Sequence, residues 1–243
     1  MADAALWPDQ IDRTQTGTAA WHFINASIAT PFSTTGLCPS HNCVIDRIDE
    51  MQTRLRTNKK GFKLVTKPSP NRPMTSREVA FLIHFVGDIH QPLHASSNGD
   101  RGGNCGPLSH AIDHGTFSTT NLHGAWDLDE VDSVLAVLGD QSQTAAALFQ
   151  RVQDGAVVDQ RTPVDWAHES NDLAKTNVYR KLNIPNSSLP AGTCPVGLPA
   201  VDVDQTYLDS NVADVEQQLM RAGIRLAGVL EEICAGTGCK ANP

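Results

Sequence analysis

Apolar positions recur along this chain at helical spacing, and hardly anywhere at the alternating spacing of strands. From His41 to about Thr57, the residues Val44, Ile48, Met51 and Leu55 fall at i, i+4, i+7 and i+11, one stripe on one helix face. The turn-rich stretch KPSPNRP, residues 67–73, separates that element from the next. Thr75 or Ser76 then offers a cap for a helix through Val79, Phe81, Leu82, Phe85 and Val86, which Pro92 ends or bends. From Ser96 to about Thr120, Gly, Ser, Thr and Asn dominate and predict a loop. Helical patterns resume around 123–138 and 141–153, and Pro163 suits the first turn of a helix reaching about Leu182. The segment 183–200 carries four prolines and reads as a long surface loop. A last helix is expected from about Val203 to Ile233, with Gly236 as its breaker. There is no repeat, no usual Gly-rich phosphate loop and no composition shift. The expectation is one all-α domain over 1–243, a multi-helix bundle with long loops.

Composition narrows the function classes. At 243 residues the chain is long enough for a substantial core, and 40% hydrophobic with 19% charged residues is ordinary for a globular domain. No apolar run is long enough to span a membrane. The formal net charge of -8 argues against a simple nucleic-acid-binding module, which would attract phosphate with surplus Lys and Arg. A bound metal cluster can reverse the field locally, so a metal-dependent enzyme acting on phosphates remains open.

Six cysteines, Cys38, Cys43, Cys105, Cys194, Cys234 and Cys239, lie in Gly-, Pro- and Ser-rich surroundings with no C-x-x-C pair. An even count in loops suggests disulfides and an oxidising compartment. Cys38–Cys43 and Cys234–Cys239 are the plausible short loops, which leaves Cys105 and Cys194 for each other. Six reduced thiols in a cytosolic protein are the alternative. The first residues, MADAALWPDQ, have neither a basic nor an apolar signal region, so either an export signal lies outside this sequence or the protein stays inside.

Candidate chemistry gathers in a few segments. In HFVGDIHQPLH, residues 84–94, His84 and Asp88 are four apart and share a helix face, while His94 follows the bend at Pro92. In NLHGAWD, residues 121–127, His123 and Asp127 repeat the i, i+4 spacing. Upstream, LWPDQ supplies Asp9 and AAWHFIN places His22 in an apolar stretch. Singly, a His on an apolar face is more often a hydrogen-bonded core residue, and a His/Asp helix pair more often a surface contact worth a few tenths of a kcal/mol. Together they form an imidazole and carboxylate set suited to zinc.

HFVGDIHQPLH, GDRGGN (99–104), NLHGAWD, WPDQ and WHFIN resemble the signatures of the trinuclear-zinc S-one/P-one type nucleases, the mung bean nuclease-like family. That family shares a helical fold with the zinc-dependent bacterial phospholipase C. The resemblance runs from about Leu6 to about Glu232. It implies a zinc-dependent endonuclease that hydrolyses RNA and single-stranded DNA to 5′-phosphorylated products through a metal-bridged water, with 3′-nucleotidase activity besides. It implies two zinc sites in this chain: Asp9, His22, His84 and Asp88 in the first, and His94, His123 and Asp127 in the second. Asp9 would also hold or deprotonate the nucleophile. Phe23 would stack on a base and Asn104 would hydrogen-bond a base edge. Phe23 as core and Asn104 as a loop-stabilising residue are the competing readings. Asn25 stands where family members often carry Asp. His90, His110, His114 and His168 have no place in the scheme.

The resemblance also implies a departure at the front. Family members begin with a Trp, followed by a His, that completes a third zinc site, and a helical hairpin then leads to the Trp-x-Asp segment. Here no His precedes His22, so only Asp88 would serve a third site. Either an upstream piece lies outside this sequence, or the chain is naturally short and keeps two zinc ions. Single-stranded DNA, RNA and nucleotides are the expected substrates, no obligate protein partner is expected, and the location implied is secreted or periplasmic. Two alternatives stand beside the nuclease: a zinc-dependent phospholipase C, and a catalytically impaired zinc-binding module.

Overall fold

The structure is a computed structural model that describes residues 2–11, 16–57, 74–154, 161–190 and 192–237. Its elements in chain order are α1 (Ala2–Gln10), α2 (Val44–Thr57), α3 (Met74–Asp88), a hairpin of β1 (Pro107–Asp113) and β2 (Ser118–Asn121), α4 (Glu130–Leu138), α5 (Gln141–Gln153), α6 (Pro163–Leu173) and α7 (Gln205–Thr237). A one-turn helix, Leu122–Gly124, and a π-helical segment, Ala125–Asp129, lead without interruption into α4. A second π-helical segment, Ala174–Tyr179, prolongs α6.

Two apolar clusters hold these elements. In the first, Val44, Ile48, Met51 and Leu55 of α2 meet Val79, Leu82, Phe85 and Val86 of α3, with Trp166 of α6 and Ile233 of α7 closing the far side. Burial of each such side chain stabilises the fold by about 1.5–3 kcal/mol, so this stripe outweighs any local propensity. In the second, Leu122, Trp126 and Val134 pack on Val178, Tyr179, Tyr207 and Val215. Trp126 donates its indole N–H to the Tyr207 hydroxyl at 3.0 Å, so the buried ring has its polar atom satisfied. Trp7 sets its ring edge on Phe81 at 5.3 Å, which fixes α1 against α3.

Several boundaries differ from the pattern reading. Helix α2 starts at Val44, and His41 instead closes a short 3-10 turn, Pro39–His41. Helix α3 already includes Met74, so Thr75 and Ser76 lie inside it rather than ahead of it. The helical stretch after Pro163 ends at Tyr179, short of Leu182. Helix α7 runs through Gly236 to Thr237, because a glycine in a helix costs only about 1 kcal/mol and does not forbid it. Helix α1 had no counterpart in the pattern, and it keeps Pro8 close to its end at Gln10. The stretch 67–73 falls outside the described residues.

The hairpin corrects the expectation of a plain loop over 96–120. Its pairing runs Pro107↔Asn121, Ile112↔Thr119 and Asp113↔Ser118, with an irregularity between the first two pairs. Gly115 turns the chain at φ 80, and its N–H is held by the Asp113 carboxylate at 2.8 Å. The side chains of β1 are half-buried or exposed on both faces, so no apolar alternation was needed to form it. Backbone pairing extends to Val201, which exchanges hydrogen bonds with Pro107 and Ser109.

Cys38 pairs with Cys43 and Cys105 with Cys194, as the sequence led us to expect. The second bond ties the GDRGGN loop to the proline-rich segment 89 positions on. Cys239, the partner expected for Cys234, falls outside the described residues.

Buried polar groups are mostly matched. His90 donates through Nδ1 to the Val86 carbonyl at 2.7 Å and faces the buried Arg225 through Nε2 at 2.9 Å. Burial, with the charges of Arg225 and Arg221, lowers its pKa to about 3 despite the Val86 bond, so His90 is a neutral core residue.

Glu130 is fully buried and accepts one hydrogen bond, from Asn211 at 2.9 Å. Burial raises its pKa to about 8, against the smaller opposing pull of Asn211 and Lys181. Between its ordinary value of 4.5 and about 8, the folded chain keeps a proton that the unfolded chain releases. The stability Glu130 contributes is therefore present below pH 4.5 and is lost as pH rises through about 8. Glu130→Gln stays neutral and keeps an acceptor for Asn211. The variant is expected to gain stability relative to the parent between pH 5 and 8, by roughly 1–3 kcal/mol. Thermal melts of both proteins at the two pH values check this; a pH-independent difference would contradict it.

Candidate metal centre

Five separate pieces of chain converge on one cleft. Helix α1 brings Asp9, the 3-10 turn Ala19–His22 brings His22, and the last turns of α3 bring His84 and Asp88. After the bend, a 3-10 turn at Pro92–Ala95 brings His94, its start fixed by the Gln91 side chain accepting from the Leu93 N–H. His123 and Asp127 come from the one-turn helix and the π-helical segment after β2, where Asn121 caps Gly124 at 2.8 Å. A π-helical turn shifts the backbone by one residue and recurs at functional sites.

The side chains form two groups. In the first, Asp9, His22 and His84 place one ligand atom each within 4.8 Å of one another. In the second, His94, His123 and Asp127 do the same. Asp88 lies between them: its Oδ2 is 3.0 Å from His22 and 3.1 Å from His84, and its Oδ1 is 3.6 Å from His94. Asp127 reaches His94 at 3.3 Å and His123 at 3.5 Å. All seven residues singled out from the sequence as ligands are thus brought together.

The donor set fits a cation. His22 Nδ1 and His84 Nε2 face each other at 3.0 Å, and two neutral lone pairs at that distance repel unless a proton or a cation lies between them. His22 Nε2 is buried and has no hydrogen-bond partner among the described residues, so the nitrogen it engages is the one facing the carboxylates. The other imidazoles are oriented from behind: His84 Nδ1 donates to the Ala5 carbonyl at 2.6 Å, His94 Nδ1 to His22 at 3.0 Å, and His123 Nδ1 to Gly102 at 2.7 Å. Each bond fixes the tautomer that presents Nε2 to the site, as histidines that ligate metals usually require. Gln91 donates to Asp127 at 2.6 Å and steadies its carboxylate.

The electrostatics agree. Burial alone would lower His84, but hydrogen bonds to Asp88 and Asp9 raise it to about 10. His94 likewise rises to about 9, burial being outweighed by Asp88 and Asp127. Burial works to raise Asp88, yet His94, His22 and His84 hold it well below the ordinary carboxylate range. Asp9 and Asp127 are lowered by the same balance of burial against neighbouring histidines. His123, unlike His84 and His94, is lowered, because burial and the charge of His94 outweigh Asp127. The site is built to hold positive charge, whether as protons or as metal.

The two groups open onto a polar cleft of about 650 Å³ whose walls include Phe23, Asn25, Arg101 and Asn104. Phe23 is half-buried and belongs to neither apolar cluster, and its ring stacks on no other ring among the described residues. Asn104 is exposed and donates to the Arg101 carbonyl at 2.9 Å. Pattern reading missed Gln91, Arg101 and the supporting carbonyls of Ala5 and Gly102. Gln91 stood beside a ligand in HQPLH and Arg101 within GDRGGN, so both had a positional signal; the carbonyls had none. Of the other histidines, His110 and His41 are nearly fully exposed, His168 stacks on Phe32, and His114 pairs with Asp129 at 3.1 Å.

Comparison with known proteins identifies a family for the chain. The family described as S1/P1 Nuclease matches residues 1–235. The chain is similar to Endonuclease 3 of Arabidopsis thaliana, 28% identical over 249 residues, covering 96% of this chain and 76% of that protein. It is 27% identical over 261 residues to nuclease P1 of Penicillium citrinum, covering 96% and 84%. It is 26% identical over 258 residues to nuclease S1 of Aspergillus oryzae, covering 97% and 79%.

Proposed function

The chain belongs to the S1/P1 nuclease family, a hydrolase of phosphodiester bonds in nucleic acid, and we propose that it is a zinc-dependent endonuclease of RNA and single-stranded DNA. Its products carry 5′-phosphates, and it removes 3′-phosphates from nucleotides as well. The observation that supports this most is the pair of His/Asp groups joined by Asp88 at the wall of a polar cleft. Zinc at such sites lowers the pKa of bound water and neutralises phosphate charge.

The chain's own residues supply the rest. Asp9 is half-exposed at the cleft and ionised, placed to hold the attacking water and accept its proton. Asp9, together with Asp88, His22, His84, His94, His123 and Asp127, would also hold the metal, and Gln91 and the three backbone carbonyls keep the ligands oriented. Phe23 offers a stacking face and Asn104 a hydrogen-bonding edge to a base, a contact tolerant of sequence and worth about 1–3 kcal/mol per stacked base. Metal held in the site would also answer the objection from a net charge of -8, since substrate phosphate would meet the local field first. The two disulfides support an oxidising location, secreted or periplasmic. No helix among the described residues is long and apolar enough to cross a membrane.

A second reading, phospholipase C, has one observation in its favour. An apolar cavity of about 500 Å³, walled by Leu6, Val215 and Leu219, adjoins Asp9, Asp88, His94 and Asp127. Incubation with single-stranded DNA and with phosphatidylcholine vesicles separates the two. Hydrolysis of the DNA, stopped by a chelator and restored by zinc, is expected; hydrolysis of the lipid alone would sink the nuclease reading.

A further inference from the structure

We infer that Arg101 forms a separate subsite for a phosphate that flanks the scissile one, and so favours phosphorylated or longer chains over bare dinucleotides. The inference rests on the nuclease reading and adds to it a substrate preference. Arg101 is the one Arg or Lys side chain among the described residues that lines the polar cleft. Its side chain is exposed and its backbone sits in the left-handed region, at φ 54. A non-glycine residue held there is uncommon, and such residues cluster at ligand clamps.

The loop holds Arg101 from several directions. Its carbonyl accepts from the Asn104 side chain at 2.9 Å, and its own Nε donates to the Gly192 carbonyl at 3.1 Å. The Cys105–Cys194 disulfide ties together the two segments that make this contact. With Nε engaged, the two terminal nitrogens have no hydrogen-bond partner among the described residues. They also make no ion pair with any described carboxylate, Asp9 and Asp127 of the same cleft included. A guanidinium kept apart from the acidic ligands, with its planar fork unengaged, is suited to a phosphate on two parallel N–H donors. The scissile phosphate would sit on the two ligand groups, which leaves Arg101, in the same cleft, for a neighbouring phosphate. The side chain is tethered beforehand, so little ordering entropy is lost when the ligand arrives.

The test uses dinucleotides carrying a terminal phosphate at the 5′ end, a non-hydrolysable methylenephosphonate at the 3′ end, or neither. Arg101→Gln keeps an N–H donor for Gly192 and removes the cation; Arg101→Lys keeps charge without the fork. For one of the two phosphorylated dinucleotides, Arg101→Gln is expected to raise KM about tenfold with kcat within about twofold. The bare dinucleotide should be unaffected, and Arg101→Lys should recover part of the loss. On longer strands the salt dependence of log KM should fall by about one phosphate contact. An equal loss on all three dinucleotides, or no loss on any, would overturn the inference. Calorimetric binding of hydrolysis-resistant methylenephosphonate-linked dinucleotides reads the same contrast without turnover. A wild-type chain that hydrolyses none of the substrates therefore counts against the nuclease reading, while the binding contrast still decides the subsite.

Discussion

Alanine in place of Asp9 is expected to slow hydrolysis of single-stranded DNA by about a thousandfold, within the range that a positioned acid–base group contributes. The loss should appear in kcat more than in KM, since Asp9 acts on the attacking water rather than on the nucleotide. Stability should hardly change, because the side chain is half-exposed and its approaches to His22 and His84, at 3.6 and 3.5 Å, lie in the site rather than in the core. Steady-state kinetics with a parallel thermal melt check both halves. An unchanged rate on a substrate the parent does cleave would remove Asp9 from the mechanism.

A second large effect is expected at Gly102, where structure rather than chemistry is at stake. A Cβ there would lie 2.4 Å from the Leu93 carbonyl oxygen and 3.0 Å from that of Ser96, both backbone atoms that cannot swing aside. Its φ of 61 adds a left-handed penalty for any L side chain. Gly102→Ala is therefore expected to destabilise the fold by roughly 2–4 kcal/mol. The Gly102 carbonyl holds His123 Nδ1 at 2.7 Å, so the variant should also lose metal from the His94, His123 and Asp127 group. Gly115→Ala is the control. It shares the positive φ, at 80, but has nothing within 4 Å of the added carbon. It should cost only about 1 kcal/mol and leave metal content unchanged. Equal effects at both glycines would mean that dihedral strain, not the close approach to Leu93, governs the loop.

The same loop shows how far the sequence could be read. Stripes such as Val44, Ile48, Met51 and Leu55 were legible because a buried face imposes helical spacing on the apolar residues themselves. His84 and Asp88 were legible for a related reason, since four residues along a helix leave two side chains on one face whatever surrounds them. The β1–β2 hairpin was not, because backbone pairing and an Asx turn at Asp113 hold it, and neither demands alternation. The π-helical segment under Asp127 was hidden as well: it is a backbone register that leaves the composition of AWDLD unremarkable. Helix α1 was missed because Pro8 argues against a helix locally, whereas the packing of Trp7 on Phe81 settles it through a long-range contact. Of the candidate site, the ligand types were visible and their supports were not. Carbonyls from Ala5, His22 and Gly102 belong to every sequence equally, and only the fold selects which of them face an imidazole.

The central claim is that the seven side chains from Asp9 to Asp127 constitute two zinc-binding groups that share Asp88. Elemental analysis of the purified, dialysed full chain tests it most directly. The expected result is about two zinc ions per chain, one for each ligand group; none, or three, would contradict the account.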